Sequence, residues 1–213
     1  MVKQFDAVIF DLDGVICYTD EYHYRAWKTI ADSIGVPFDR AVNNRLRGVS
    51  RMASLDIILE QSSCPFSQAE KDALADQKNE LYKHLLAEMT PEDLPAEVRE
   101  TLDTLRKKGY LLAIGSSSRN TPFILQQIGL AGFFDAVSDG NNITHSKPDP
   151  EVFLKAAQML HAEPSHCLVV EDAVSGAQAA HAGGMKAACV GDASEQGAGD
   201  WNLNGVKDLL KFL

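Results

Sequence analysis

About ninety residues separate the first short apolar run of this 213-residue chain from the second, and they hold no convincing strand. Outside that interval the chain alternates. Apolar runs at 7–10, 111–114, 136–138, 168–170 and 187–190 hold four residues or fewer, too few for periodicity to prove strand. Their flanks decide it. The last four follow amphipathic segments at 96–108, 121–129, 150–161 and 173–183. Gly109, Gly129 and the Gly183-Gly184 pair stand at or near the ends of those segments, where a left-handed residue is wanted. Strand alternating with helix predicts a parallel sheet covered by helices. Ligands of such sheets bind in the crevice at the carboxyl ends of the strands.

Crossovers inside α/β units are far shorter than the strandless interval. It reads as helix over 20–34, 51–61 and 67–88. Leu55, Ile58 and Leu59 have helical spacing, and the stretch from Gln68 to Leu86 is rich in strong helix formers. The fold expected is α/β: a Rossmann-like parallel sheet core, residues 1–15 and 91–213, with an inserted helical cap domain, residues 16–90. The exits lie at 15–19 and 90–95, the second carrying two prolines. Two covalent connections suggest a hinge.

Charge narrows the partners. Twenty Lys+Arg against thirty Asp+Glu give a net charge of −10, which argues against a nucleic-acid or anionic-membrane binder. An anionic ligand therefore needs local positive charge or a metal ion. No apolar run approaches the roughly 20 residues that span a bilayer, and the start of the chain does not read as a signal peptide. The four cysteines, at 17, 64, 167 and 189, form no CxxC or zinc pattern, and three lie in apolar stretches as buried thiols. A cytoplasmic monomer is the expectation.

Asp11-Leu12-Asp13-Gly14 follows the first run. Two carboxylates at i and i+2 on a buried strand end are costly unless a cation or a proton separates them. Alone, they read equally well as a solvated turn. Gly115-Ser116-Ser117-Ser118-Arg119-Asn120 follows the second run. Hydroxyls and backbone N–H groups opening a helix suit a phosphate, although a serine there is also a common helix cap. Lys147-Pro148 precedes the fourth run, and Val170-Glu171-Asp172 closes it with a second acidic pair. All four features would share one edge of the sheet.

As a set, and in this order, they resemble the four motifs of the haloacid dehalogenase superfamily of phosphotransferases. The resemblance covers the whole chain, since that superfamily carries a type of cap where the helical insert lies. It implies that Asp11 is the nucleophile and Asp13 the general acid/base. An Asp at 13 implies phosphoryl transfer, because the dehalogenases lack that acid. It also implies Mg²⁺ held by Asp11, Glu171, Asp172 and the Asp13 backbone carbonyl, with Lys147 and Ser116 on the phosphoryl oxygens. Hard oxygen ligands suit that cation, which offsets repulsion between phosphoryl group and carboxylate. The product of attack is a covalent aspartyl phosphate.

Two runs in the insert extend the resemblance: Thr19-Asp20-Glu21-Tyr22-His23-Tyr24-Arg25-Ala26-Trp27 and Leu46-Arg47-Gly48-Val49-Ser50-Arg51. Taken singly, His23 reads as structural, Trp27 as core, and Arg47 and Arg51 as solvated charges. Together they resemble the cap of the hexose-phosphate mutases in that superfamily. That likeness implies that Arg51 grips the non-reacting phosphate, joined by Ser118, Arg119 and Asn120, with Arg47, Gly48 and Ser117 in the same substrate site. Thr19 and His23 would control proton transfer at Asp13. Arg47 and Arg119 stand where lysine is expected, and Ala173 where a small polar residue often follows the acidic pair. The reaction implied interconverts β-D-glucose 1-phosphate and 6-phosphate through a 1,6-bisphosphate. A Mg²⁺-dependent sugar-phosphate phosphatase is the alternative, and a non-catalytic phosphosugar-binding protein a third.

Overall fold

Strand β1 (Ala7–Phe10) is fully buried and sits at the centre of the sheet. The computed structural model describes residues 4–46 and 49–213. Between β1 and the next strand run four helices: α1 (Asp20–Ser33), α2 (Arg40–Asn44), α3 (Arg51–Leu59) and α4 (Gln68–Leu86). Then come α5 (Ala96–Lys107), β2 (Leu111–Gly115), α6 (Thr121–Gln127), β3 (Ala136–Ser138), α7 (Glu151–Met159) and β4 (Cys167–Glu171). Next come α8 (Val174–Ala182), β5 (Lys186–Cys189), α9 (Gly191–Glu195) and β6 (Trp201–Asn202), and a 3-10 helix, Val206–Lys211, follows them. Among the described residues the strands form one parallel sheet in the order β3-β2-β1-β4-β5-β6. This is the doubly wound order, and the expected α/β sheet with a helical insertion is what the chain adopts.

Strand alternation builds two cores. Val8, Phe10, Leu112, Ile114, Leu168 and Val170 face one layer. Ala7, Ile9, Ala113, Cys167, Val169 and Ala187 face the other, which small residues dominate. The insertion has its own apolar cluster, with Trp27, Ile30, Leu55, Ile58 and Leu74 buried. Tyr82, Leu86 and Met89 leave that cluster and pack with Phe10, Leu12 and Ile16, so the foot of α4 rests on the sheet unit. Local chemistry sets the helix starts. The Ser50 hydroxyl accepts from the Ala53 N–H, which makes Arg51 the first residue of α3. Ser67 and Glu70 form a capping box on α4.

The expected elements lie where the sequence put them, within a residue or two. The fourth apolar run extends one residue further than its apolar stretch, so Glu171 is the last residue of β4. Short elements among the described residues that the sequence reading does not anticipate include α2, α9, the two-residue β6 and the 3-10 helix Val206–Lys211. None is long enough to show a period. All four cysteines are free thiols, and Cys17, Cys167 and Cys189 are buried as expected. Among the described residues no helix is long and apolar enough to cross a membrane.

Candidate active site

The strand order reverses between β1 and β4, so these neighbours diverge at their carboxyl ends into helices on opposite sides. The crevice of a doubly wound sheet opens at that point. The Asp11 N–H donates to the Val170 carbonyl (2.9 Å), carrying the pairing one residue past β1. The chain then coils on itself: the N–H groups of Ile16 and Cys17 donate to the Leu12 carbonyl, and that of Gly14 to the Cys17 carbonyl (2.7 Å). Leu12 is buried in the core, while Asp11 and Asp13 line a cavity of about 640 Å³ between the sheet and the insertion. Gly14 adopts φ +89°, and a Cβ there would lie 2.1 Å from Asp172 Oδ2. Only glycine lets the Asp172 carboxylate close on this loop.

Lys147 is the cation of the cluster. It is buried, and its Nζ donates to both Asp11 Oδ1 and Glu171 Oε1. Burial pulls its pKa down, but the two carboxylates more than reverse this, so it stays charged. The second oxygen of Glu171 accepts from the Ala173 N–H (2.7 Å). A side chain at Gly176 would collide with that carboxylate, its Cβ lying 1.8 Å from Oε1. Burial pushes Asp11 up to about 8 against the pull of Lys147, with Glu171 and Asp13 adding to the rise. Asp13 is also raised, first by burial; the Thr19 hydroxyl donates to it and opposes the rise.

Asp11, Asp13, Glu171 and Asp172 together outnumber one lysine in a largely buried space. All their donor atoms are oxygen. A hard divalent cation fits such a set and would return Asp11 to the carboxylate form. Asp11, Asp172 and the Asp13 carbonyl could hold it, since all three residues line the same cavity. The Gly14 approach brings Asp172 to the same loop as the other two. Glu171 lies deeper, 1% exposed, behind Lys147.

The loop after β2 closes a second wall. Ser116 is buried, and its hydroxyl accepts from the Ser118 N–H (3.1 Å); the Ser118 hydroxyl accepts from the Asn120 N–H (3.2 Å). Ser117 Oγ is buried and has no hydrogen-bond partner among the described residues. Arg119 Nε donates to the Gly140 carbonyl (3.1 Å), which holds its side chain along the rim. Across from this loop, Arg51 Nη2 donates to Asn79 Oδ1 (2.8 Å). Burial and then the charge of Arg119 lower the Arg51 pKa. Two guanidinium groups near enough for their charges to interact favour an anion at this end of the cavity.

The structure therefore lines one cavity with Asp11, Asp13, His23, Arg51, Ser116, Ser117, Ser118, Arg119, Asn120, Lys147 and Asp172. Thr19 and Glu171 lie behind it, bonded to Asp13 and Lys147. Arg47 and Gly48 lie outside the described residues. His23 is in the cavity, but its Nδ1 bonds Lys78 Nζ (2.9 Å) rather than Asp13. Lys78 was missed by sequence reasoning. It is 3% exposed, and burial, with the charge of Arg51, brings its pKa down to about 7. A signal existed: Leu74, Lys78, Tyr82 and Leu86 recur every four residues on one face of α4, and a lysine in that apolar stripe asks for an explanation. Asn79 had no such signal.

Known proteins resemble this chain in sequence and fold. A family model described as haloacid dehalogenase-like hydrolase matches residues 5–184. The chain is 42% identical to β-phosphoglucomutase of Bacillus subtilis over 95% of its length and 91% of the relative's. It is 32% identical to a fructose-1-phosphate phosphatase of Escherichia coli, covering 88% and 97% of the two chains. The crystal structure of a β-phosphoglucomutase from Clostridium difficile superposes with a TM-score of 0.90 at 34% identity, covering 96% of this chain and 93% of that one. Sequence motifs, sheet order, the crevice chemistry and these relatives lead to one conclusion: the chain is an enzyme of the haloacid dehalogenase-like hydrolase family.

Proposed function

We propose that the protein is a Mg²⁺-dependent β-phosphoglucomutase, which interconverts β-D-glucose 1-phosphate and β-D-glucose 6-phosphate through a β-glucose 1,6-bisphosphate. The observation that carries this reading is the second cationic end of the cavity. A phosphatase needs one phosphate site. A mutase holds a phosphate at each end of the sugar and exchanges them. Here Asp11 and Lys147 mark one end; Arg51 and Arg119, with Ser118 and Asn120, mark the other. A cavity of about 640 Å³ has the size of a small-molecule site.

The chemistry follows from the side chains. An Asp11 carboxylate oxygen attacks phosphorus, forming the aspartyl phosphate as the phosphorus–sugar oxygen bond breaks. Asp13 gives its proton to the departing sugar oxygen. When the phosphorus attacked is that on O1 of the 1,6-bisphosphate, glucose 6-phosphate leaves; the 6-hydroxyl of the next β-D-glucose 1-phosphate then gives its proton to Asp13 and attacks the aspartyl phosphorus, which re-forms the bisphosphate and frees Asp11. Burial keeps Asp13 protonated more readily than an exposed carboxyl, which suits an acid. Thr19 orients it. Lys147 offsets charge on the phosphoryl oxygens, and Ser116 and Ser117 offer hydroxyls. Mg²⁺, held by Asp11, Asp172 and the Asp13 carbonyl with Glu171 behind, would neutralise the phosphoryl group as it meets the carboxylate. Residues 16–90 would act as a cap that pivots at 15–19 and 90–95 and excludes water from Asp11.

The relatives support both outcomes for a phosphoenzyme, since a sugar-phosphate phosphatase is among them. The test is to supply each anomer of glucose 1-phosphate separately with Mg²⁺ and a trace of the bisphosphate. Conversion of the β anomer alone to glucose 6-phosphate supports the mutase. Phosphate release from both, without isomerisation, overturns it in favour of the phosphatase.

A further inference from the structure

Asn79 joins three segments through one atom. It lies on α4, half-buried, and its Oδ1 accepts from Arg51 Nη2 at the start of α3 (2.8 Å) and from Asn120 Nδ2 ahead of α6 (3.1 Å). Two of these segments belong to the insertion and one to the sheet unit. An amide oxygen has two lone pairs, and both are engaged. The donors keep capacity to spare: a guanidinium has five N–H bonds and a primary amide two. Arg51 and Asn120 can hold Asn79 and still direct other N–H bonds at a ligand.

The charge at this point makes the choice of asparagine informative. Arg51 and Arg119 repel one another, and Asp76 and Glu80 offset Arg51 only in part. A carboxylate at position 79 would hold Arg51 more firmly, yet it would stand against any anion that Arg51 must grip. A neutral acceptor aims the guanidinium without competing for it.

We propose that Asn79 is a positioning residue for the distal phosphate. Its amide oxygen ties the cap-side donor Arg51 to the core-side donor Asn120, so that closing the cap and assembling the distal anion site are one event. The proposal rests on the two-phosphate reading above, and it adds a residue that touches neither phosphate nor reacting atom. It predicts that the bridge holds the insertion against the sheet unit even with no ligand present.

The experiment uses the whole protein and reads compactness and binding separately from turnover. Alanine is a better helix former than asparagine, so Asn79→Ala keeps α4. Small-angle scattering of the ligand-free protein should show a larger radius of gyration for Asn79→Ala than for the parent. Calorimetric titration with glucose 6-phosphate should show affinity about tenfold weaker in Asn79→Ala, the loss of roughly one hydrogen bond to a charged group. Asn79→Asp should stay compact yet bind more weakly still, because it repels the phosphate. On an Arg51→Ala background, Asn79→Ala should add less than about twofold, since the two act as a unit. Unchanged scattering and affinity in Asn79→Ala would overturn the proposal, as would losses that multiply with Arg51→Ala. A parent that follows this pattern but does not isomerise refutes the mutase reading and supports the bridge. A parent that isomerises while Asn79→Ala matches it in every readout refutes only the bridge.

Discussion

Replacing Gly14 by alanine should uncouple the protein from the proposed Mg²⁺ while leaving every candidate ligand in the sequence. Two separate costs act at this position. At φ +89° a Cβ is strained, by about 1–2 kcal/mol. The new methyl would also sit 2.1 Å from Asp172 Oδ2 and 2.6 Å from its Cγ, so the carboxylate must swing away from the Asp11–Gly14 loop. For a domain of this size, strain alone should lower Tm by about 2–8 °C. The second cost appears only when Mg²⁺ is added. A metal present at a hundred times its Kd stabilises the parent by about 2.7 kcal/mol, or ~5–10 °C. In Gly14→Ala that increment should fall to a small fraction. Thermal unfolding with chelator and across a Mg²⁺ series separates the two costs. Asp172→Ala should abolish the increment without the strain. Adding Gly14→Ala to it should then cost only the strain, because the colliding partner is gone. A Gly14→Ala protein with the parent's Mg²⁺ increment would refute the placement of Asp172 as a ligand.

Asp13→Asn should retain the Mg²⁺ increment, since its proposed metal contact is a backbone carbonyl, yet slow turnover by about two to four orders of magnitude; steady-state kinetics beside the unfolding series checks both. Arg51→Ala should reduce isomerisation by about one to two orders of magnitude while release of phosphate from a small aryl phosphate changes far less, and Arg51→Lys should recover only part, because a point charge lacks the planar fork. Lys78→Met should flatten the pH dependence of stability above neutrality. Burial lowers the Lys78 pKa to about 7 in the folded chain, so between about pH 7 and 10 the unfolded chain binds more protons and the parent's stability rises with pH through this group. Denaturant unfolding at pH 6, 8 and 10 should find the variant's advantage over the parent largest at pH 6 and smallest at pH 10.

The sheet was legible because each buried strand carries its own punctuation. Gly109, Gly129 and Gly184 all take positive φ at the ends of helices, which is why they marked the boundaries. The insertion was legible from length alone, since no ordinary crossover is so long. Each core motif is a local run of sequence: Asp11 and Asp13 stand two residues apart in the chain, and both line the cavity. What the sequence could not show is contact made across the cavity. Lys78 sits 55 residues from the histidine it bonds, and Asn79 sits 28 and 41 residues from its two donors. Each looks like one more polar residue on a long helix. His23 lines the same cavity as Asp13, but its bond to Lys78 depends on how α1 packs on α4, which no local pattern encodes. The short elements α2, α9 and β6 escaped for a different reason, having too few residues for any period.

The central claim is that the aspartyl phosphate passes to a second hydroxyl of the sugar rather than to water. It is tested most directly by a partition ratio: the glucose 6-phosphate formed and the phosphate released, counted in one reaction that starts from β-D-glucose 1-phosphate, Mg²⁺ and a trace of β-glucose 1,6-bisphosphate. The two-ended cavity predicts many molecules of glucose 6-phosphate for each phosphate released, and a collapse of that ratio in Arg51→Ala. One phosphate released for each glucose 1-phosphate consumed, with no glucose 6-phosphate formed, would contradict it.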